Sequence, residues 1–308
     1  MAVRIVPDVT VIGGVNVDIG GRSFSSLIPR DSNPGSITVS AGGVGRNIAQ
    51  NLCQLGLQVS LISAWGDDTH GRLAASACVD AGMDISQVRV LSSLPTSTYL
   101  YISNPEGEMA LALSDMAAAD RVTPGWLEER QSLLDSSRVI VADTNIPADS
   151  LRYLAEHSQV PLFIDPVSVT KAEKLRPILA RIHTLKPNRY EAELLSGVPI
   201  HSRDDALHAA HALIDLGVKR VFLSLGAEGV CAVSGDQELF LPCLSGIHVN
   251  STGCGDSFMA AIIWAWLRNM SPRDTTLAGL AAAAITMESV HTISPVLNPD
   301  TLCRRMAL

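Results

Sequence analysis

The chain has 308 residues, of which 47% are hydrophobic and 18% are charged, and its formal net charge is −8. This length allows one large α/β domain or two small ones, and the composition supplies enough apolar side chains for a well-buried core. The negative charge and the scattered, single Lys and Arg residues argue against nucleic acid as a partner, because a phosphate backbone requires a basic surface.

The amino-terminal part of the chain predicts a strand and a helix separated by an irregular segment. Residues 9–14 form a β-branched run that stops at glycines, as buried strands do. Turn residues occupy 31–35, and a short strand is predicted at 37–39. A helix is predicted over 42–55, because its apolar residues fall on one face, with Gly56 as its C-cap.

Two strand-like segments further along differ in kind from their surroundings. After a strand at 59–62 and a helix at 71–81, residues 98–103 and 109–113 are joined by Asn-Pro-Glu-Gly, which predicts a hairpin turn. Paired with the short strands of 16–40, this hairpin would form a small sheet outside the main one. We interpret that small sheet as a lid.

From residue 138 onward, strands and helices alternate regularly. Strands are predicted at 139–142, 161–164, 182–185 and 221–225, and helices at 149–157, 172–181, 190–196 and 204–216. This alternation is the βαβ signature of an α/β fold with a doubly wound, mostly parallel sheet flanked by helices.

The carboxyl-terminal part predicts a hairpin over 230–241 and two helices, at 255–268 and 273–288, with a short final helix after Pro299. No internal repeat, low-complexity tract or linker interrupts the chain. We therefore expect a single domain over 1–308, with lid segments of about 16–40 and 98–113 inserted in it.

The segment Gly253-Cys254-Gly255-Asp256 stands at the start of the helix predicted over 255–268. Backbone N–H groups converge at a helix amino terminus and the helix dipole favours negative charge there, so the segment predicts an anion hole. A carboxylate in this first turn can also accept a proton from an attacking hydroxyl. The alternative is that Asp256 only stabilises the helix end.

Two further segments place polar groups where a helix begins. Gly42 and Gly43 precede Asn47, whose amide could reach a ligand hydroxyl, although the glycines could equally serve close helix–strand packing. Asn188 and Glu191 follow a predicted strand, where open α/β sheets bind ligands, yet the same pair fits a capping box.

Five motifs, in this order, resemble the ribokinase-like (PfkB) carbohydrate kinase family across nearly the whole chain. They are Gly14-Val15-Asn16-Val17-Asp18, Gly42-Gly43 with Asn47, Lys186-Pro187-Asn188 with Glu191, Ser224-Leu225-Gly226 with Gly229, and Thr252-Gly253-Cys254-Gly255-Asp256. The chain has no Walker-type G-x-x-x-x-G-K-[ST] sequence, which that family does not use. The resemblance implies a ribokinase-like fold and an ATP-dependent kinase that acts on a hydroxyl of a sugar or nucleoside.

The resemblance also implies a role for each matching residue. Asp256 would be the catalytic base, and the anion hole for the transferred phosphoryl group would be formed by Gly253, Cys254 and Gly255. The substrate ribose would be held by Asn16, Asp18, Gly42, Gly43 and Asn47. ATP would lie along Asn188, Ser224, Gly226, Gly229 and Thr252. Mg²⁺ would be held through water by Glu191, together with Asn188.

Two positions depart from the family pattern. Asn250 stands where the family usually has Asp, which removes a charged ligand from the loop that would bind a monovalent cation, so the need for such a cation stays open. Cys254 stands where the family often has Ala, which adds a thiol beside the phosphate path but leaves the backbone N–H donors in place.

Within the family the chain is most similar to kinases of pseudouridine, on the stretches 31–35, 42–52, 164–168 and 183–189. This similarity implies that the chain phosphorylates the 5′-hydroxyl of pseudouridine. The alternatives are a ribokinase- or fructokinase-type sugar kinase and a non-catalytic protein that senses a nucleoside. Asp256 speaks against a sensor, because sensing needs no base. The lid strands and the 31–35 turn, which lie outside the shared motifs, are the candidates for reading the base.

The sequence also bears on location and assembly. Met1 to Asp8 is too short and too polar for a signal peptide, and no apolar stretch approaches the roughly 20 residues that a membrane helix needs. The six cysteines form no C-x-x-C pair, unlike zinc frameworks, and do not resemble a secreted disulfide scaffold. We therefore expect a cytoplasmic protein with no membrane partner, in which the lid could pair two copies as a homodimer.

Overall fold

The computed structural model describes residues 6–307, so the first five residues of the amino-terminal segment considered above lie outside it. The strands are β1 (Val9–Ile12), β2 (Asn16–Ser23), β3 (Gly35–Gly42), β4 (Val59–Ile62), β5 (Ala64–Gly66), β6 (Arg89–Leu91), β7 (Thr98–Ser103), β8 (Met109–Asp115), β9 (Val139–Asp143), β10 (Leu162–Asp165), β11 (Thr184–Leu185), β12 (Arg220–Ser224), β13 (Val230–Ser234) and β14 (Gln237–Leu241). The α-helices are α1 (Val44–Gln54), α2 (Thr69–Asp80), α3 (Pro124–Glu128), α4 (Gln131–Ser136), α5 (Ala148–His157), α6 (Val169–Ala172), α7 (Arg189–Ser196), α8 (Arg203–Asp215), α9 (Cys254–Trp266), α10 (Pro272–Met287) and α11 (Pro299–Met306).

Eight strands form the main sheet, in the order β14-β13-β12-β11-β10-β9-β1-β4. The strands from β4 to β12 in this order run parallel, and β13 and β14 add an antiparallel hairpin at one edge. Strands β1 and β9, which lie inside the sheet, are mostly apolar and are buried along their whole length, as strands covered by helices on both faces must be. The predicted α/β fold with a doubly wound, mostly parallel sheet is confirmed.

Two hydrophobic clusters fill the two faces of this sheet. On one face, residues of β1 such as Val9 and Val11 pack with α1 and α9, whose apolar residues include Leu52 and Ile262. On the other face, Ile12 packs with residues of α3 to α8. Alternate residues of β1 therefore face opposite helical layers, which follows from the period-two geometry of a strand.

A smaller sheet, in the order β3-β2-β7-β8, lies apart from the main one. Its strands come from the two segments that the sequence analysis singled out, and β2 with β7 is the parallel pair that joins them. The predicted small sheet is confirmed. Strand β3 is longer than predicted, because its pairing with β2 continues as far as Gly42.

The structure corrects the helix predicted over 172–181. Helix α6 ends at Ala172, and the chain continues as a 3₁₀ helix over Glu173–Arg181. Pro177 lies inside that stretch and has no N–H to donate, which disfavours continuous α-helical bonding. The strand predicted at 182–185 is shorter in the structure, where only Thr184–Leu185 pair with β10 and β12. Within residues 6–307, no helix combines the length and apolar character needed to cross a bilayer.

Candidate active site

The order of the parallel strands creates a crevice at one edge of the main sheet. Strand β1 lies between β4 and β9, so the chain leaves β1 towards one side of the sheet and later returns on the other side. Ligands of open α/β sheets bind outside the carboxyl ends of the strands at such a point of reversal. Here Asp143, at the end of β9, accepts hydrogen bonds from Gly14 N at 2.9 Å and from Gly45 N at 2.7 Å. Asp143 therefore ties the end of β1 to the start of α1.

Helix α9 begins at this end of the sheet, because Asp256 in its first turn is hydrogen-bonded to Asn47 of α1. Gly253 is its N-cap and adopts a left-handed conformation, with φ of 84°, while a Cβ at this position would overlap the carbonyl oxygen of Thr292. Only glycine fits both demands without strain. Cys254 N donates to Ser251 O at 3.3 Å, a long bond that partly occupies one of the three predicted donors. The N–H groups of Gly255 and Asp256 precede the first bond within the helix, from Ser257 to Gly253.

Asp256, in the first turn of α9, is buried against helix α1. Asn47 Nδ2 donates to Asp256 Oδ2 at 2.8 Å, although 209 positions separate the two residues in the chain. Burial raises the pKa of Asp256 to about 7, the charge of Asp165 adds to the rise, and Asn47 and Lys186 oppose it. A carboxylate with a pKa near neutrality is suited to accept and release a proton at physiological pH. The structure thus brings together the predicted base and a residue predicted to hold ribose.

A buried ion pair lies next to this carboxylate. Lys186 Nζ is 3.2 Å from Asp165 Oδ2, and the two side chains are 8% and 7% exposed. Burial alone would lower the pKa of Lys186, but the charges of Asp165 and Glu191 raise it, so the ammonium stays protonated at neutral pH. This pair was not assigned to the site from sequence, although both residues directly follow predicted strands, where ligands of such sheets bind.

Asn188 and Glu191 form the capping box that the sequence analysis kept as an alternative. Asn188 Oδ1 accepts from Glu191 N at 3.0 Å, and Glu191 Oε2 accepts from Asn188 N at 2.9 Å. Burial raises the pKa of Glu191. Capping engages only one oxygen of the carboxylate, because Glu191 Oε1 has no hydrogen-bond partner among residues 6–307. Glu191 therefore caps α7 and keeps one oxygen for a further ligand.

The residues predicted to hold ribose lie where β2 and β3 leave the crevice. Asn16 Nδ2 donates to Asp18 Oδ1 at 2.6 Å, and the Asp18 carboxylate lies directly over Gly42, where a Cβ would overlap it. Gly43 has φ of 103° and approaches Gly14 O so closely that no side chain fits. Burial raises the pKa of Asp18, against the hydrogen bond from Asn16 and the charge of Arg46.

The residues predicted to lie along ATP follow the neighbouring strands towards the sheet edge. Asn188 and Ser224 pair as an isolated parallel bridge, so the ends of β11 and β12 stand side by side. Gly226 has a positive φ and open space around it, whereas a Cβ at Gly229 would overlap Leu241 O. Gly229 is thus required by the packing of the hairpin as well. Thr252 N donates to Asn250 Oδ1 at 3.0 Å, so Asn250 shapes the loop before α9.

The donor set bears on whether the site can hold a divalent metal. Within residues 6–307, no three His, Cys, Asp or Glu side chains are grouped as ligands of one ion. Mg²⁺ is usually held by one or two carboxylates, with water and substrate phosphates completing its six ligands. The free oxygen of Glu191 fits that mode, and a cage made of protein ligands alone does not.

Comparisons with known proteins identify relatives of the chain. A family model described as pfkB family carbohydrate kinase matches residues 6–299. A pseudouridine kinase of Escherichia coli (strain K12) is 36% identical over 293 residues, which cover 94% of this chain and 93% of that protein. The uncharacterized sugar kinase YeiI of the same strain is 37% identical over 292 residues, covering 94% of this chain and 81% of that protein. A solved structure of Arabidopsis thaliana ribokinase, complexed with ribose and ATP, shares the fold, with a TM-score of 0.88 at 22% identity over 99% of this chain and 100% of that one.

Proposed function

Because this chain belongs to the pfkB family of carbohydrate kinases, we propose that it transfers the γ-phosphoryl group of ATP to the 5′-hydroxyl of pseudouridine. Membership of the family makes the chain a phosphotransferase with an alcohol group as acceptor. The proposal for the site rests on one observation above all, the contact of Asn47 with Asp256 at the first turn of α9. The contact supports the proposal, because Asn47 would hold the ribose next to the carboxylate that would accept the hydroxyl proton.

The site would act mostly by positioning and charge stabilisation, as phosphoryl transfer requires. Asn16, Asp18 and the backbone at Gly42 and Gly43 would hold the ribose hydroxyls, and Asn47 would orient Asp256. Asp256 would take the proton of the 5′-hydroxyl as that oxygen bonds to the γ-phosphorus. The free N–H groups at the start of α9 would stabilise the charge on the transferred group. ATP would extend from there along Asn188, Ser224, Gly226 and Gly229, with Thr252 on the opposite loop.

The choice of pseudouridine rests on similarity, since a pseudouridine kinase and a protein named as a sugar kinase match this chain almost equally well. The candidates for recognition of the base are the lid strands and the 31–35 turn, in which the Asn33 side chain is already hydrogen-bonded to Ile28 and Asp31. By the strand register, Thr38, Ser40, Tyr99 and Tyr101 share the face of the small sheet that carries Asp18. These side chains are the candidates for contact with the uracil ring.

We expect kcat/KM for pseudouridine to exceed that for uridine by at least about tenfold, with ribose and fructose poorer still. Pseudouridine exposes an additional ring N–H, and a buried acceptor left unpaired by uridine costs about 1–3 kcal/mol, or roughly 10- to 150-fold. The measurement is ADP release with ATP and Mg²⁺ and each of the four substrates. If ribose or fructose is the best substrate, the chain is a sugar kinase, and if ligand binds without ADP release, the chain is a sensor.

Glu191→Gln should raise the Mg²⁺ concentration needed for half-maximal rate by about tenfold, because a carboxylate that holds the hydrated metal becomes a neutral amide. The amide oxygen can still accept from Asn188 N, so the helix cap survives. Glu193→Gln, two residues further along the same helix, is the matched control and should leave the Mg²⁺ dependence unchanged. Equal Mg²⁺ dependence in wild type and Glu191→Gln would leave Glu191 with the capping role alone.

The outer face of the small sheet supports the proposal that the lid pairs two copies of the chain. Ile37, Val39, Leu111 and Leu113 are between 50% and 75% exposed on strands β3 and β8, on the face opposite to Asp18. Exposed apolar patches of this kind mark interaction surfaces. Leu111→Lys with Leu113→Lys should halve the mass measured by light scattering. Leu216→Lys, at an exposed apolar position at the end of α8, should not. A monomeric wild-type protein would contradict the proposal.

We also propose that the protein works in the cytoplasm. The six cysteines are all free within residues 6–307, as expected of a reducing compartment. Cell fractionation with an antibody to the protein checks this location, and enrichment in a secreted or membrane fraction would overturn it.

A further inference from the structure

Lys186 is the only buried residue among the four lysines of the chain, all of which lie in the described part. Asp165 holds it from one side, and Asp165 is itself fixed by Val167 N, which donates to its Oδ1 at 2.9 Å. An ammonium group has three N–H donors. Among residues 6–307 the structure gives the ammonium one close partner, which is Asp165.

Lys186 Nζ lies next to the amino terminus of α9. An ideal Cβ built on Gly255 would be 3.1 Å from Lys186 Nζ, so the ammonium lies against the backbone of the first turn of α9. A side chain at position 255 would separate the two. The glycine at this position therefore lets a full positive charge and the partial charge of the helix end act on the same point.

The stability of the fold does not account for this pair. Desolvating a lysine and an aspartate costs several kcal/mol per ion, and an apolar pair of similar volume is often as stable or more so. The surroundings of the pair are also strongly acidic, because the carboxyl groups of Asp143, Glu191 and Asp256 are buried nearby. These carboxyl groups would repel an entering phosphoryl group, and a fixed ammonium beside them would offset that repulsion.

We propose that Lys186 binds an oxygen of the transferred γ-phosphoryl group and stabilises its charge in the transition state, and that Asp165 is the residue that positions Lys186. This inference rests on the proposed function, in which α9 and Asp256 act on the same group. In the step, the substrate oxygen bonds to the γ-phosphorus while the bond from that phosphorus to the β–γ bridging oxygen breaks. The hydroxyl proton goes to Asp256, ADP leaves with the electron pair of the broken bond, and Lys186 keeps its protons throughout.

The test compares Lys186→Met with Lys186→Arg and with Lys219→Met, which removes an exposed lysine just before β12. We expect kcat to fall about 10²- to 10³-fold in Lys186→Met, as for the loss of one transition-state donor, and KM for pseudouridine to change little. Lys186→Arg should recover part of the loss, because it keeps the charge, and Lys219→Met should behave as wild type. A kcat within about twofold of wild type in Lys186→Met would overturn the proposal.

The pH profile separates a direct role from a structural one. Asp143, Asp165 and Lys186 are the charged groups that face Asp256 from the neighbouring strand ends, and Asn47 faces it from α1. Removing the Lys186 charge should raise the pKa of Asp256 and move the acidic limb of the kcat/KM profile to higher pH. An unchanged limb with reduced kcat would indicate that Lys186 only supports packing, and it would overturn the proposal.

Two further variants keep the outcome decisive. If Lys186→Met does not fold, Lys186→Met combined with Asp165→Asn removes both charges together and avoids a lone buried carboxylate. Loss of kcat in that folded double variant supports the proposal, and wild-type activity in it overturns the proposal. Asp256→Asn is assayed in the same experiment. If Asp256→Asn loses activity while Lys186→Met stays active, the proposed function stands and only the role of Lys186 is rejected.

Discussion

Asp256→Asn should lower kcat by about 10²–10⁴, the range expected for loss of a general base, with little change in nucleoside binding. The substitution keeps the volume of the side chain, and the amide oxygen can still accept from Asn47 Nδ2, so the position of Asn47 is preserved. What disappears is the group that takes the hydroxyl proton. Steady-state kinetics with ATP and pseudouridine measure kcat, and calorimetry measures binding of the nucleoside.

Two measurements control this experiment. Because the pKa of Asp256 is raised to about 7, wild-type kcat/KM should fall about tenfold per pH unit below that value, as the base becomes protonated. A raised pKa in the folded state also means that wild-type stability decreases as pH rises from about 4 to about 7. Asp256→Asn lacks this titrating carboxyl group. The melting temperature of the variant should therefore increase relative to that of wild type as the pH rises over the same range. Near-normal turnover in a folded Asp256→Asn protein would remove Asp256 from the mechanism.

Gly253→Ala should reduce kcat by at least about 10², because it misplaces the N–H groups of α9 by a fraction of an ångström or more. A Cβ at this position overlaps the carbonyl oxygen of Thr292, and the left-handed backbone at Gly253 disfavours any side chain. Either the loop that carries Thr292 or the start of α9 must therefore move. The melting temperature should also decrease, since such a residue costs about 1–3 kcal/mol of strain.

The matched control is Gly125→Ala, in helix α3, where a Cβ meets nothing within 4 Å. It adds the same methyl group far from the crevice, so kcat should stay at the wild-type value. Its melting temperature should hold or rise slightly, because alanine lowers the entropy of the unfolded chain. If Gly253→Ala retains wild-type kcat, the exact placement of the α9 terminus does not govern the rate.

The sequence by itself determined the main sheet and the start of the candidate site. Buried runs such as Val9–Ile12 and Val139–Asp143 are mostly apolar and are separated by helical periodicity, which is a local pattern with one common solution. The segment Gly253 to Asp256 likewise predicts the start of α9, because glycines directly before an apolar helical segment mark the point where the loop ends and the helix begins. The capping box of Asn188 and Glu191 could also be predicted from the sequence, because both of its hydrogen bonds join residues only three positions apart.

The type of helix after Ala172 could not be predicted from the local sequence pattern. Its apolar spacing predicted an α-helix, and Pro177 and the short connection to β11 produce a 3₁₀ helix instead. Periodicity alone does not distinguish the two, because both place apolar residues at intervals of three or so on one face.

Only the tertiary structure decided which side chains share the site. Asn47 meets Asp256 across 209 positions, Asp143 joins Gly14 to Gly45, and Lys186 pairs with Asp165 beside Gly255. Each of these contacts depends on the order of strands in the sheet, in which β1 lies between β4 and β9. Strand order is set by long-range packing of whole elements and leaves no mark on neighbouring residues. The pKa of Asp256 follows from that packing as well, because burial and the charges gathered around it come from distant parts of the chain.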